Sequence, residues 1–340
     1  MPHIKHIAQR APAPGSAQAA AQQAVQPAAQ QAVQPAELQP AQPAVPQPAL
    51  RPALQPAQNF LNVSAYRFVE LDNLPALRER VREQCAAAGL KGTVLLAPEG
   101  INLFLAGVPD QLNAVLDWLR SDARFADLTA KESWSDHQPF NRMLVKRKKE
   151  IITMKHPQVR PGGGRAPHVD AITLKRWLDA GRDDAGREIA LIDTRNEFEI
   201  NIGTFEGAIN PKINTFGEFP ERIDALARQD HGTQQSALKD KTVVTFCTGG
   251  IRCEKAVLYM EEKGFEHVYQ LDGGILKYFE TVGGSHFQGD CFVFDRRVAL
   301  TPGLTEAGYA ECFNCRAVVS PEQLRSPQYV VGKSCPRCAV

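Results

Sequence analysis

The sequence lacks the long apolar runs that would place the chain across a membrane. No segment has the roughly 18 uninterrupted apolar residues that a spanning helix needs. The first ten residues are followed neither by the apolar stretch of a secretory signal nor by the Arg- and Ser-rich composition of a transit peptide. We therefore expect a soluble, cytoplasmic protein with no membrane partner.

The sequence also lacks a strong net charge, since 39 Lys and Arg residues against 38 Asp and Glu residues leave a formal charge of +1. Local charge is uneven, because residues 141–165 carry eight Lys or Arg residues and one Glu. This stretch includes the run Lys146, Arg147, Lys148 and Lys149. Such a stretch is typical either of a solvated strand and loop or of a surface that binds nucleic acid.

A dinucleotide-binding fingerprint and a phosphate-binding P-loop are both absent, and the eight histidines show no metal-ligand spacing. The sequence therefore gives no indication of a tightly held flavin or nicotinamide. Cysteine is present but unevenly placed, with five of the eight residues in the last fifty positions. This placement favours metal binding near the C-terminus over a distributed disulfide framework.

The C-terminal cysteines have the spacing of a metal site. The pairs Cys312-x-x-Cys315 and Cys335-x-x-Cys338 are separated by nineteen residues, which fits four thiolates around a structural zinc ion. A small Cys-rich segment, residues 286–340, would need such a metal to stay folded. Redox-active thiols, or a site that has lost its metal, are the alternatives. Cys291 lies outside both pairs and is expected in a core.

Composition and periodicity divide the rest of the chain. Residues 1–58 are dominated by Ala, Gln and Pro, and we expect a disordered tail there. Residues 59–160 show the order β-α-β-β-α-β, which predicts a ferredoxin-like α+β domain. Its extended segments include a hairpin around Pro98-Glu99-Gly100 and a last segment over residues 143–152.

The pattern changes after the breaker cluster Pro161-Gly162-Gly163-Gly164, which we interpret as a linker. Over residues 161–285, helices alternate with short apolar strands, of which Glu188 to Asp193 and Thr242 to Phe246 are the clearest. This alternation predicts a parallel sheet covered on both faces, with ligands bound at the carboxyl ends of its strands. The chain as a whole is therefore expected to be a multi-domain α/β protein.

Cys247 is the main candidate for catalysis. It follows a buried strand and precedes a helix, in the sequence Cys247-Thr248-Gly249-Gly250-Ile251-Arg252-Cys253. The helix dipole and unpaired backbone N–H groups lower the pKa of a thiol in this position, and the glycines let the backbone form an anion cradle. Arg252 adds a positive charge. A cysteine phosphatase would instead need Arg at the position of Cys253, and a purely structural cysteine would leave the glycines and Arg252 unexplained.

Three further residues are candidates around the same crevice. Asp193 and Arg195 follow the end of another parallel strand, so they either border the crevice or form an ordinary buried ion pair that organises the loop. Cys253 either resolves an oxidised or persulfidated Cys247 by forming a disulfide or simply packs in the first turn of the helix.

The segment from Cys247 to Ala256, CTGGIRCEKA, resembles the active-site signature of the rhodanese-domain tRNA uridine hydroxylases. Further segments agree with that family, and the resemblance extends from about Asn59 to the C-terminus. They are Ala97 to Asn102, Asp193 to Glu199, Ile202 to Ala208 and Gly289 to Asp295.

The resemblance implies an acylphosphatase-like form of the first domain and a rhodanese-like second domain with Cys247 as the essential cysteine. It implies an oxidoreductase that hydroxylates the wobble uridine of tRNA to 5-hydroxyuridine, with molecular oxygen as co-substrate and an unidentified reductant. The anticodon loop is single-stranded, so its bases can be splayed into a pocket. The basic run from Lys146 to Lys149 would then bind phosphates.

Two other functions fit the motifs. The first is a sulfurtransferase that carries a persulfide on Cys247 and needs neither the basic stretch nor the additional domains. The second is a zinc-stabilised RNA-binding module with a vestigial rhodanese domain, which the activating setting of the thiol disfavours. Within the hydroxylase hypothesis, attack of the thiolate on uracil C6 and persulfide chemistry are both open routes.

Overall fold

The computed structural model describes residues 59–162, 166–229 and 238–339. The expected tail, residues 1–58, lies outside these ranges, as do Gly163 and Gly164 of the expected linker. Within these ranges no helix has the length and apolar character needed to cross a membrane.

The first domain is a five-stranded sheet with two helices. Its elements are β1 (Phe60–Phe68), α1 (Leu74–Ala87), β2 (Lys91–Ala97), β3 (Gly100–Gly107), α2 (Pro109–Arg120), β4 (Ala130–Ser135) and β5 (Met143–Arg147). The strand order is β4-β1-β3-β2-β5. The first four strands pair antiparallel in the predicted ferredoxin-like arrangement, and β5 is added at the edge, parallel to β2.

The strand β5 is shorter than the extended segment predicted over residues 143–152. It ends at Arg147, and the chain then turns so that the Glu150 carboxylate accepts hydrogen bonds from the backbone N–H groups of Met154 and Lys155. Glu150 also pairs with Lys255, 2.7 Å away. The strand prediction was therefore wrong beyond Arg147. The chain leaves the sheet there because Glu150 binds backbone N–H groups and Lys255 instead of continuing the pairing with β2.

The two faces of the first sheet have different compositions. Both helices cover one face, where Leu61, Val63, Leu103 and Leu105 belong to a buried apolar core. Alternate residues of a strand point to opposite faces. The face without helices, called the open face below, therefore carries a different set of side chains. They are polar or aromatic: Asn62, Ser64, Tyr66, Asn102 and Phe104.

The second domain contains the predicted parallel sheet. Its elements are β6 (His168–Val169), α3 (Ala171–Ala180), β7 (Ile189–Asp193), α4 (Glu197–Ile200), β8 (Gly203–Phe205), α5 (Phe219–Gln229), β9 (Thr242–Phe246), α6 (Ile251–Glu262), β10 (Val268–Leu271) and α7 (Gly274–Val282). The strand order is β6-β10-β9-β7, with every pair parallel. Neighbouring residues of β9 belong to two different apolar clusters, Val243 to one and Val244 to the other. Both faces of this sheet are therefore covered, as predicted.

Short strands characterise the C-terminal part of the chain. They are β11 (Phe287–Gly289), β12 (Cys291–Phe292), β13 (Ala299–Leu300), β14 (Ala310–Glu311) and β15 (Val318–Val319). The strand β11 pairs with β8 of the second domain. Cys291 is fully buried in the core of that domain, as expected. Strands of two or three residues are too short for hydrophobic periodicity to predict them.

The helix α6 links the two domains. Its buried Lys255 ammonium lies 2.9 Å from a Glu99 carboxylate oxygen in the β2–β3 hairpin and 2.7 Å from one of Glu150. The neighbouring Glu254 carboxylate accepts a 3.3 Å hydrogen bond from the Tyr66 hydroxyl on β1. The residues that follow the Cys247 loop in the signature therefore hold the open face of the first sheet against the second domain.

Candidate active site

The Cys247 loop has the form of the predicted cradle. Cys247 directly follows β9, and its sulfur accepts a 3.1 Å hydrogen bond from the backbone N–H of Gly250. Gly250 has a φ of 96°, in the left-handed region that favours glycine and turns the loop amides toward the sulfur. Gly274 approaches from the neighbouring loop so closely that a Cβ atom there would lie 2.4 Å from the Cys247 carbonyl oxygen.

The surroundings of Cys247 favour a thiolate. Burial by itself would raise the pKa of this thiol. The hydrogen bond from Cys253, the charge of Arg252 and the backbone N–H groups of Arg252 and Gly249 act in the opposite direction. Together they hold the pKa of Cys247 well below the value of about 8.5 for a free cysteine. These groups therefore favour the thiolate form of Cys247.

Cys253 supports that charge from the first turn of α6. It is fully buried, and its sulfur lies 3.7 Å from the Thr194 hydroxyl. Burial and the neighbouring Cys247 sulfur raise the pKa of Cys253 well above its ordinary value, so this thiol stays protonated and donates to Cys247. Contact with Cys247 is what a resolving thiol needs, and that role stays a prediction.

Arg252 is fixed beside the loop by Glu199. Two hydrogen bonds of 2.7 Å join the guanidinium to the two carboxylate oxygens, and the two side chains are 6% and 0% exposed. Glu199 lies on the short helix α4, and its carboxylate also accepts a 3.1 Å hydrogen bond from the backbone N–H of Asn196, the N-cap residue of that helix. Sequence reasoning missed Glu199, although it lies in one of the family-like segments.

Asp193 and Arg195 form a buried ion pair. Their closest contact joins the Arg195 Nη2 and Asp193 Oδ2 atoms at 2.7 Å, and both side chains are at most 1% exposed. The same guanidinium nitrogen donates to the Gly203 carbonyl oxygen, which ties the end of β7 to β8. Neither residue is among those that line the cavity at Cys247. The two residues therefore form an ion pair at the end of β7, and whether they also act in the crevice stays a prediction.

A cavity of about 490 Å³ opens at Cys247. The Cys247 loop and Arg252 form one wall, and the open face of the first sheet forms the opposite wall. The two walls are close together, since the Ser64 hydroxyl lies 3.7 Å from where a Cβ atom on Gly249 would be. Further lining comes from the rest of the first domain, from loops of the second domain and from the C-terminal part of the chain: Phe140, Lys148, residues 150–153, Asn196, Thr215, Phe216, Leu276, residues 293–295 and Arg297. The candidate site is therefore assembled from three separate parts of the chain.

Sequence reasoning missed most of this lining. The family-like segments around Asn102 and Phe294 were noted, but nothing in the sequence indicated that the two would meet at Cys247. One feature of the sequence could have indicated a covered face. Asn62, Ser64 and Tyr66 alternate along β1, and none of the three carries a charge, as side chains on a solvated sheet face often do.

The basic run lies at the edge of the first sheet. Lys146, Arg147, Lys148 and Lys149 are all exposed, and the first two end β5 while the others follow it. Lys148 also lines the cavity at Cys247, which brings one cation of the run to the candidate site itself. Lys131 on β4 lines the same cavity and an outer groove of about 750 Å³ beyond it.

The four C-terminal cysteines of the predicted metal site come together. The Cys312 and Cys338 sulfurs lie 3.8 Å apart, and the Cys315 and Cys335 sulfurs lie 3.7 Å apart. A tetrahedral ion with metal–sulfur bonds of about 2.3 Å places its sulfurs about 3.8 Å from one another. The arrangement can therefore hold a metal ion.

An activated thiol on a parallel sheet, faced by a ferredoxin-like sheet, defines a rhodanese-type cysteine site with an added domain. Family models agree with this description. The UPF0176 acylphosphatase like domain matches residues 60–151, and the Rhodanese-like domain matches residues 171–281. A solved rhodanese-like domain from Anabaena sp. is 24% identical, covers 36% of this chain and 79% of that chain, and has a TM-score of 0.27.

Curated relatives cover most of the chain. A protein of Cupriavidus taiwanensis is 60% identical over 278 residues, which are 82% of this chain and 96% of that protein. A protein of Paraburkholderia xenovorans is 56% identical over 284 residues, with the same shares covered. Both are named tRNA uridine(34) hydroxylase. The chain belongs to the tRNA uridine(34) hydroxylase family.

Proposed function

We propose that the protein hydroxylates the wobble uridine of tRNA to 5-hydroxyuridine, with molecular oxygen as co-substrate. The observation that carries this proposal is the stabilised Cys247 thiolate in a cavity that the first sheet covers. A thiolate alone fits many reactions. The names of relatives that are 56–60% identical over most of the chain favour this one.

Cys247 is the proposed nucleophile. Addition of its thiolate to uracil C6 makes C5 electron-rich, so that C5 can take an oxygen atom from molecular oxygen. Loss of the C5 proton and of the thiolate then restores the C5–C6 double bond. Overall, uridine, one oxygen molecule, two electrons and two protons give 5-hydroxyuridine and water, with the electrons supplied by a separate reductant. The alternative to direct addition of the thiolate is a route in which Cys247 first carries a persulfide.

The remaining candidate residues have supporting roles in this proposal. Arg252, held by Glu199, keeps a positive charge beside the developing anion. Cys253 stabilises the Cys247 thiolate and is the candidate resolving thiol. Asp193 and Arg195 hold the loop after β7 in place beside the site.

The substrate partner in this proposal is the anticodon loop of tRNA. The exposed basic run Lys146 to Lys149 would bind its phosphates, and Lys148 would do so at the cavity mouth. The outer groove beyond Lys131 gives room for nucleotides next to the target. A tRNA substrate also favours a cytoplasmic location for the protein.

Zinc is the metal that we propose for Cys312, Cys315, Cys335 and Cys338, because four thiolates at tetrahedral spacing are a structural zinc set. We also propose the division into domains at residues 59–160, 161–285 and 286–340, which the spans of the two family models support.

Nucleoside analysis of tRNA tests the proposal. In a strain that lacks the gene, 5-hydroxyuridine at position 34 should disappear, and the wild-type gene should restore it only in cells grown with oxygen. An unchanged 5-hydroxyuridine level in the deletion strain, together with sulfur transfer from thiosulfate to cyanide by the purified protein, would instead support the sulfurtransferase alternative.

A further inference from the structure

Phe104 is the large apolar side chain at the centre of the open sheet face. It lies in the middle of β3, where its cross-strand neighbours are the small residues Ser64 on β1 and Thr93 on β2. The ring lines the cavity that opens at Cys247. Since Ser64 faces the Cys247 loop, Phe104 lies about one strand spacing, roughly 4.8 Å, from a residue in contact with that loop.

Phe294 reaches the same cavity from the C-terminal part of the chain. Its ring centroid lies 6.2 Å from that of Phe104, with the two planes inclined by 51°. On another side, the Arg252 guanidinium carbon lies 6.0 Å from the Phe294 ring centroid. Phe294 is nevertheless 48% exposed, although a ring of this size gains stability from burial. Its exposed aromatic surface lines the same cavity as Cys247 and can pack against a ligand there.

We infer that Phe104 and Phe294 bind the target base: the uracil of the wobble nucleotide stacks on Phe104, and Phe294 closes the mouth of the cavity. This inference rests on the proposed function and names the residues that place the pyrimidine at Cys247. Proteins that bind splayed RNA bases stack them on aromatic rings. A cavity of about 490 Å³ has the size of a small-ligand site and accommodates a nucleotide.

The charges around the rings fit the same occupant. Lys131 and Lys148 line the cavity, so two positive charges lie where the phosphates of a flipped nucleotide would approach. Stacking is tolerant of base identity because every base has an aromatic face. The two rings therefore hold the base in position, and discrimination between pyrimidines is left to polar groups of the lining.

The test compares two anticodon stem-loop RNAs that differ only at position 34, where one carries uridine and the other an abasic site. Wild-type protein should bind the uridine RNA more tightly than the abasic RNA. Phe104→Leu should weaken binding of the uridine RNA about 5-fold or more, the lower end of measured base stacking, and leave the abasic RNA unchanged. Phe294→Leu should also weaken binding of the uridine RNA. Phe104→Tyr keeps an aromatic ring, so it should bind the uridine RNA as tightly as the wild type does.

Phe198→Leu is the matched control, because Phe198 is 43% exposed and does not line the cavity. An equal loss on both RNAs for Phe104→Leu, or no loss on either, would overturn the inference. Equal binding of the two RNAs by the wild-type protein would also overturn it. If tRNA from the same wild-type strain still carries gene-dependent 5-hydroxyuridine, these failures would leave the proposed function intact.

Discussion

The protein has two cysteine sites that are built in opposite ways. The C-terminal site takes all four of its sulfurs from one segment, residues 312–338, in which the thiols lie against one another. Cys247 is instead one reactive sulfur, and the groups around it come from its own loop, from Arg252 and Cys253 on α6, from Glu199 on α4 and from the first domain. The first site is local, and the second is assembled from distant parts of the chain.

This difference determines what should happen when each site is disturbed. A local site fails when its own residues change and leaves the rest of the protein unaffected. An assembled site fails also when the contacts between domains change, even though the sulfur and its loop are intact. The two cysteine sites should therefore respond independently to substitutions.

The largest expected effect is loss of the C-terminal metal. Purified wild-type protein should contain about one equivalent of zinc, and Cys335→Ser combined with Cys338→Ser should remove it, since structural zinc contributes on the order of 10 kcal/mol to such small folds. Elemental analysis measures the metal. Cys85→Ala, which changes a buried cysteine of the first domain, should keep the zinc. Zinc retained in the double variant would show that the four thiols are not the ligands.

A smaller effect is expected from breaking the contact between domains. Lys255→Met leaves Glu99 and Glu150 without their shared cation and should lower the free energy of unfolding by about 3 kcal/mol, as for a broken buried pair. Hydroxylation should fall as well, while the zinc content stays the same. Lys263→Met is the control directly after the same helix, because its ion pair with Asp224 is 3.7 Å long and accessible to solvent. Chemical denaturation that finds the two variants equally stable would refute the role of Lys255.

Acid should weaken the same contact. Burial tends to raise the pKa of Glu150, but the hydrogen bond from Lys255 and the backbone N–H of Met154 lower it overall. A carboxylate whose pKa is lower in the folded protein stabilises the fold at any pH above its unfolded pKa, about 4.3 for Glu. This stability is lost as the pH falls through the pKa of the folded state. The stability difference between the wild type and Lys255→Met should therefore narrow below about pH 4, and a constant difference would contradict the assignment.

The smallest effect concerns the basic run. Replacing Lys146, Arg147, Lys148 and Lys149 by Ala should reduce tRNA affinity and flatten its salt dependence, because each lost phosphate contact removes counterion release. Substitution of Lys175 and Arg176 on α3 is the control for lost surface charge. The test is tRNA affinity at two salt concentrations for the wild type and the four-Ala variant. If the affinity and its dependence on salt are the same for both, the basic run is a solvated surface that does not bind tRNA.

The contrast between the two sites also explains what the sequence could predict. The Cys312 to Cys338 spacing and the CTGGIRCEKA signature are local, so the clustering of the C-terminal cysteines and the loop around Cys247 were expected. The role of Lys255 was not, because its partners Glu99 and Glu150 are more than a hundred residues away. Phe104 and Phe294 likewise meet only after three parts of the chain have packed. Hydrophobic periodicity is a local pattern and cannot predict such a contact.

The most direct test of the central claim is the 5-hydroxyuridine content at position 34 of tRNA in a deletion strain that carries Cys247→Ser. A serine hydroxyl stays protonated where the thiol ionises, so the variant should fold, retain its zinc and melt near the wild-type temperature while forming no detectable 5-hydroxyuridine. Cys85→Ala in the same strain should maintain the modification. Wild-type levels of 5-hydroxyuridine with Cys247→Ser would contradict the assignment of Cys247 as the nucleophile.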